Sequence, residues 1–147
     1  MSAFDLHRIL CAWLRRTDTP LYARVGPRVL AAPPGAPRDP RALPAVSFTL
    51  ASGQGPEAPA RLERVGVIFS AWAQTPAAAY ATAQELDAVV DDAEEVRVTV
   101  DEEDYLIVWA RRRGVIRQKR AAASGRLWQA WAPYELLVTT RPIATFD

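Results

Sequence analysis

Apolar and polar positions alternate most regularly between Arg61 and Gln74. Val65, Val67, Phe69, Ala71 and Ala73 fall on one side of an extended chain, and Arg64, Gly66, Ile68, Ser70 and Trp72 on the other. The first side is apolar throughout, whereas the second is a mixed surface suited to half-burial or to another subunit. Thr75-Pro76 follows as a helix start, Thr as N-cap and Pro at the first helical position, where a missing N–H costs nothing. The spacing of Ala79, Ala83, Leu86 and Val90 predicts one apolar stripe on a helix over 77–90. Small residues at 77, 78, 79, 81 and 83 let that helix lie close on the sheet.

The same pattern extends in both directions. Leu6, Ile9, Leu10, Trp13 and Leu14 predict an amphipathic helix from Ser2 to Arg16, with Ser2 and Asp5 resembling a capping box and Arg15 and Arg16 at its negative end. After a break at 17–20, strand character around Arg24 to Leu30 is interrupted by Gly26-Pro27, which predicts an edge or a bulge. Residues 33–44 hold five prolines in twelve and read as a surface loop. Val46, Phe48 and Leu50 alternate with Ser47 and Thr49, predicting a half-buried strand over 45–52, and 53–59 reads as a turn. Val96, Val98 and Val100 lie among acids as a strand with a charged outer face. Residues 105–110 are apolar on both faces, 121–125 form a small-residue turn, and 126–140 is a final strand in which Pro133 implies a bulge or an edge. The whole reads as α+β: a twisted, mainly antiparallel sheet with two helices packed on one face, plus a charged β-hairpin over 93–123.

Composition narrows the classes. A chain of 147 residues has the length of one domain and buries roughly 70% of its extended surface. Eighteen basic and 17 acidic residues leave a net charge of +1, so any attraction to nucleic acid or membrane is local. No apolar run is long enough to span a bilayer, no signal pattern opens the chain, and the expectation is a soluble protein made in the cytoplasm. The lone Cys11 excludes an intramolecular disulfide. Charge is segregated: eight acids fall between Asp91 and Asp104, and six basic residues between Arg111 and Arg120.

No catalytic constellation emerges. His7 and Cys11 sit one turn apart without an orienting third group, and one His plus one Cys fall short of a metal site. Glu94 and Glu95 point to opposite faces of a strand. Gly53-Gln-Gly55 is followed by Pro56 and not by a helix, so the helix N-terminus that would receive a phosphate is lacking. Trp72, Trp109, Trp128 and Trp131 are base-stacking platforms on one reading and core or subunit-interface aromatics on the other, the reading we favour. The basic run is either a solvated hairpin tip or a contact for phosphate or an acidic neighbour. Neither enzyme activity nor a cofactor or metal is expected.

Four features occur together: the N-terminal amphipathic helix, Leu43-Pro-Ala-Val-Ser-Phe-Thr-Leu-Ala-Ser-Gly53, Arg64-Val-Gly-Val-Ile-Phe-Ser-Ala-Trp-Ala-Gln-Thr75, and the helix Ala78-Ala-Tyr-Ala-Thr-Ala-Gln-Glu-Leu-Asp-Ala-Val-Val90. From Ser2 to about Asp92 the chain thereby resembles the tail-terminator or tail-completion family of long-tailed, siphovirus-like bacteriophages. The stretch 93–123 departs from that pattern, being longer and more charged. The resemblance implies a structural virion protein at the head-proximal end of the tail, assembled in the host cytoplasm. It also implies a homo-oligomeric, commonly hexameric ring that caps the tail tube, ends its polymerisation and joins the capsid neck. The implied partners are copies of itself, tail-tube protein and a neck or connector protein, with DNA passing through the lumen and no membrane. A head-completion or connector protein and a non-specific nucleic-acid binder are the alternatives.

A head-to-tail ring needs two different complementary patches on one subunit. The expectation is that Arg111, Arg112, Arg113, Arg117, Lys119 and Arg120 face acids of 91–104, Asp101, Glu102, Glu103 and Asp104 among them, on the adjacent subunit or on tube protein, with Trp72 at the interface. The basic set otherwise lines the lumen.

Overall fold

The computed structural model describes residues 3–31, 43–57, 62–121, 126–139 and 142–143. The proline-rich 33–42, the start of the capping box at Ser2 and the small-residue turn at 122–125 lie outside them. Helix α1 (Ala3–Leu14) buries all five of its apolar stripe residues. Helix α3 (Pro76–Val90) opens where Thr75 Oγ1 accepts the Ala78 N–H at 3.1 Å, and it buries Ala79, Ala83, Leu86 and Val90. Between them lies a third helix, α2 (Pro20–Val25), where the sequence pattern predicts extended chain. Its cap repeats that of α3: Thr19 Oγ1 accepts the Tyr22 N–H at 3.1 Å, with Pro20 at the first position. Gly26, at φ +58°, ends it in a conformation that disfavours a side chain. Of the stretch 24–30 only its end is strand, β1 (Val29–Ala31), an edge strand with Gly26-Pro27 lying before it and not within it.

Strands β2 (Ala45–Glu57), β3 (Leu62–Ala73), β4 (Ala93–Val100), β5 (Glu103–Arg112), β6 (Arg117–Arg120) and β7 (Trp128–Thr139) join β1 in one sheet. The order is β1-β2-β3-β7-β5-β4, with β6 also on β7; β1 and β2 are parallel and the rest antiparallel. Strand β2 runs five residues beyond the predicted 45–52. Its tail through Gly53 and Pro56 stays paired to β3 through two register shifts, so cross-strand pairing overrides the local turn residues.

The helices collect on one face. Leu6, Leu10 and Leu86 share a buried cluster with Phe48, Val67, Phe69, Leu136 and Val138 from the sheet. Phe48, Phe69 and Tyr134 stack across three strands at ring separations of 6.0 and 5.3 Å. Nearer the start of α3, Ala79 and Ala83 meet Ala71, Ala73 and Ala130, and small side chains on both sides bring helix and sheet close. At the other end of α3, Tyr134 Oη donates to Asp87 at 2.8 Å and Arg112 Nη1 donates to the same carboxylate at 2.9 Å. Burial first, and the Asp87 hydrogen bond second, push the Tyr134 phenol well above its ordinary pKa.

The charged segment is not one hairpin. Strands β4 and β5 form a hairpin whose two-residue tip is Asp101-Glu102, and the chain then continues along β7 as β6. Between β5 and β6, residues 113–116 oppose Ala132 and Pro133 as a bulge. This explains a proline in an interior strand. The N and C=O of one strand residue face the same neighbour, and Pro133 O accepts the Arg113 N–H at 2.8 Å. The side lacking an N–H therefore faces the interruption, where no ladder bond is lost.

Candidate functional site

The face of the sheet away from the helices carries the candidate surface. Cross-strand register assigns it row by row. Arg64, Leu137 and Trp109 align, then Gly66, Glu135 and Arg111, then Ile68 and Pro133 beside the bulge, then Ser70, Trp131 and Arg117, then Trp72, Gln129 and Lys119. Ile68, Leu137, Trp109 and Trp131 are half-buried and absent from the helix-side core. Arg111, Arg117 and Lys119 are exposed.

The cations rest on the aromatics. The Arg64 and Arg111 guanidinium carbons lie 5.9 and 5.5 Å from the Trp109 ring centre, and Lys119 Nζ lies 5.2 Å from that of Trp131. A guanidinium beside a tryptophan ring still has N–H groups with which to meet a carboxylate or phosphate. The acid Glu135 lies among them and is engaged, accepting from Arg113 Nη2 at 2.9 Å with Arg64 at 4.0 Å. At the far end Trp72 is buried, its indole N–H donating to Ser47 Oγ at 2.9 Å, and Gln129 Nε2 donates to Ser70 Oγ at 2.9 Å.

The six basic residues of 111–120 therefore divide. Arg111, Arg117 and Lys119 face outward on the open side. Arg113 is tied to Glu135. Arg112 points to the helix side, on Asp87, with its backbone N–H donating to Asp91 Oδ1 at 2.8 Å. Arg120 also lies on the helix side, 5.4 Å from the Trp128 ring centre. The acids divide as well. Asp91 to Glu95 lie beside the basic end of β5, since Glu94 pairs with Trp109. Asp101 to Asp104 lie at the hairpin tip, where Asp101 pairs with Arg8, and Asp104 binds Arg97 Nη1 at 3.2 Å and Thr99 Oγ1 at 2.6 Å. Glu102 and Glu103 are exposed at that tip with no ion pair among the described residues. Arg64 is the contributor that sequence reading missed; its signal was its place at the start of the outer row of β3.

Of the other candidates, Cys11 is half-buried and burial raises its thiol pKa, with Arg15 opposing, which disfavours a thiolate. His7 rests against Phe48 at 5.7 Å between ring centres. No group of three or more His, Cys, Asp or Glu converges among the described residues, and no described helix is long and apolar enough to cross a membrane.

No family model and no curated protein matches the chain. Its fold does have a likeness among solved structures. A solved structure described as the virion of a native gene transfer agent (GTA) particle contains a chain that matches at a TM-score of 0.64. The match covers 91% of this chain and 94% of that one, at 18% identity. At that identity the likeness is one of architecture.

Proposed function

We propose that this chain is a structural subunit of a phage-like particle, forming a ring at the head-proximal end of the tail that caps the tube and joins it to the capsid neck. The observation that carries the reading is the near end-to-end match in fold to a chain of a GTA virion. The molecule's own surfaces agree with it. One sheet face is committed to helices and the other carries no described helix, with half-buried tryptophans under exposed cations. Such a face suits macromolecular contact, in which aromatic and arginine side chains are enriched. The role is architectural and needs no catalytic group.

The test is tube growth. Purified chain added to polymerising tail-tube subunits should arrest elongation and appear as a ring at one tube end by electron microscopy. Tubes that lengthen unchanged sink the capping role, and association with portal-side components alone would move the chain to the neck.

A further inference from the structure

We infer that the open sheet face of one copy receives the Asp101-Glu102-Glu103 hairpin tip of a second copy, so that the two poles of the β5–β6 line form a head-to-tail joint. The inference deepens the proposed ring and takes its biological setting from that reading.

The basic pole consists of Arg111, Arg117 and Lys119, exposed over Trp109 and Trp131. The acidic pole is the β4–β5 turn, where Asp101 is already paired with Arg8 of the same molecule and Glu102 and Glu103 are the exposed carboxylates. Both poles lie along one line of strand beside β7, and at about 3.3 Å per residue they stand roughly 25–40 Å apart, from Arg111 to Lys119. That is several times the Debye length of about 8 Å at physiological salt, so neither pole neutralises the other within a molecule. A second copy meets both requirements.

Backbone geometry at the tip points the same way. Asp101 and Glu102 have φ of +51° and +66°, the pair of left-handed residues of a type I′ hairpin turn. Asn-Gly satisfies such a turn without strain; glutamate does not. The hairpin thus carries a carboxylate where folding alone favours glycine, beside an equally exposed Glu103.

Main-chain pairing is the less suitable joint. Edge strand β4 is broken by Glu95 at φ +50° and carries Glu94 and Glu95, devices that blunt an edge. Base stacking is disfavoured because the rings of Trp109 and Trp131 have cations over them.

The experiment is native mass measurement across a concentration series on the full chain and on two pole-reversed variants. One is Arg117→Glu with Lys119→Glu; the other is Glu102→Lys with Glu103→Lys. Each variant alone should associate at least about tenfold more weakly than the parent. Mixing the two should restore association in assemblies of even subunit number, since each supplies the pole the other lacks. Restoration also shows that the variants fold. Glu102→Gly separates folding from binding: it should be at least as stable as the parent while associating less.

A parent chain that stays monomeric, a reversed variant that assembles like the parent, or a mixture that fails to recover overturns the joint. So does loss of salt-sensitive duplex DNA binding by Arg117→Glu with Lys119→Glu while self-association is untouched, which would make the face a phosphate surface. Tube arrest is read separately. Reversed variants that still cap tubes sink the joint and spare the capping role; a joint that behaves as expected in a chain that never arrests tubes does the opposite.

Discussion

The two faces of strands β3 and β7 are written in the same residues, one position apart, and they obey different rules. On the helix side Val65, Val67, Phe69, Ala71 and Ala73 are all buried, and the facing Ala130, Ala132, Tyr134, Leu136 and Val138 are buried with them. On the open side, burial falls away from Trp72 and Ser70 toward Ile68 and exposed Arg64. Half-exposed apolar surface contributes little to the isolated fold but remains available to a partner. The contrast separates residues that hold the molecule together from residues that present it.

The sharpest way to break this contrast is Phe69→Ala. It removes a ring packed between Phe48 and Tyr134 and should cost about 3–5 kcal/mol, read by denaturant unfolding. A cost near that of an outer-face change would mean the helix side is not the core.

Next is Tyr134→Phe, which deletes the hydroxyl that reaches Asp87 and should cost about 1 kcal/mol. It carries a pH signature. Because the folded-state pKa is raised, the neutral phenol is the form the fold favours, so its contribution is complete below the unfolded pKa of about 10 and is lost as pH climbs beyond it. The variant should lose stability less steeply above that pH; identical alkaline slopes would show that Tyr134 is not the group responsible.

Thr75→Ala probes the α3 cap, with an expected loss of about 1 kcal/mol and reduced helicity by circular dichroism. Smallest is Arg117→Ala on the open face, which should leave the unfolding midpoint unmoved. A clear drop there would erase the distinction between the faces.

Much of this was legible in the sequence, for identifiable reasons. The alternation in 61–74 and the stripe of 79, 83, 86 and 90 are long enough for one period to dominate, and both elements formed as expected. Helix α2 was missed although its Thr19-Pro20 start copies Thr75-Pro76, because six residues give too few turns to show a stripe and the Gly-Pro that ends it also marks edge strands. The tail of β2 was missed because its pairing partner, not its own glycines, keeps it extended. The basic cluster could be seen as composition, but not which way each side chain points. That depends on the irregularity at Val108, which resets the alternation: Ile107 and Trp109 fall on opposite faces, and Arg111 consequently lies on the open side and Arg112 on the helix side, the reverse of unbroken alternation from Ile107.

The bulge opposite Pro133 also bears on how this molecule tolerates change. Since the proline has no donor to lose, residues can be added at 115–116 without breaking a ladder bond from that position, as long as the Arg113 N–H stays on Pro133 O and Gly114 keeps its close approach to the proline ring. A one-residue slide of β6 along β7 would turn Arg117 and Lys119 to the helix side, so the register of the arm is what such a change must leave alone. The bulge is thus the place where chain length can change while the frame, and the basic arm paired to it, stay put.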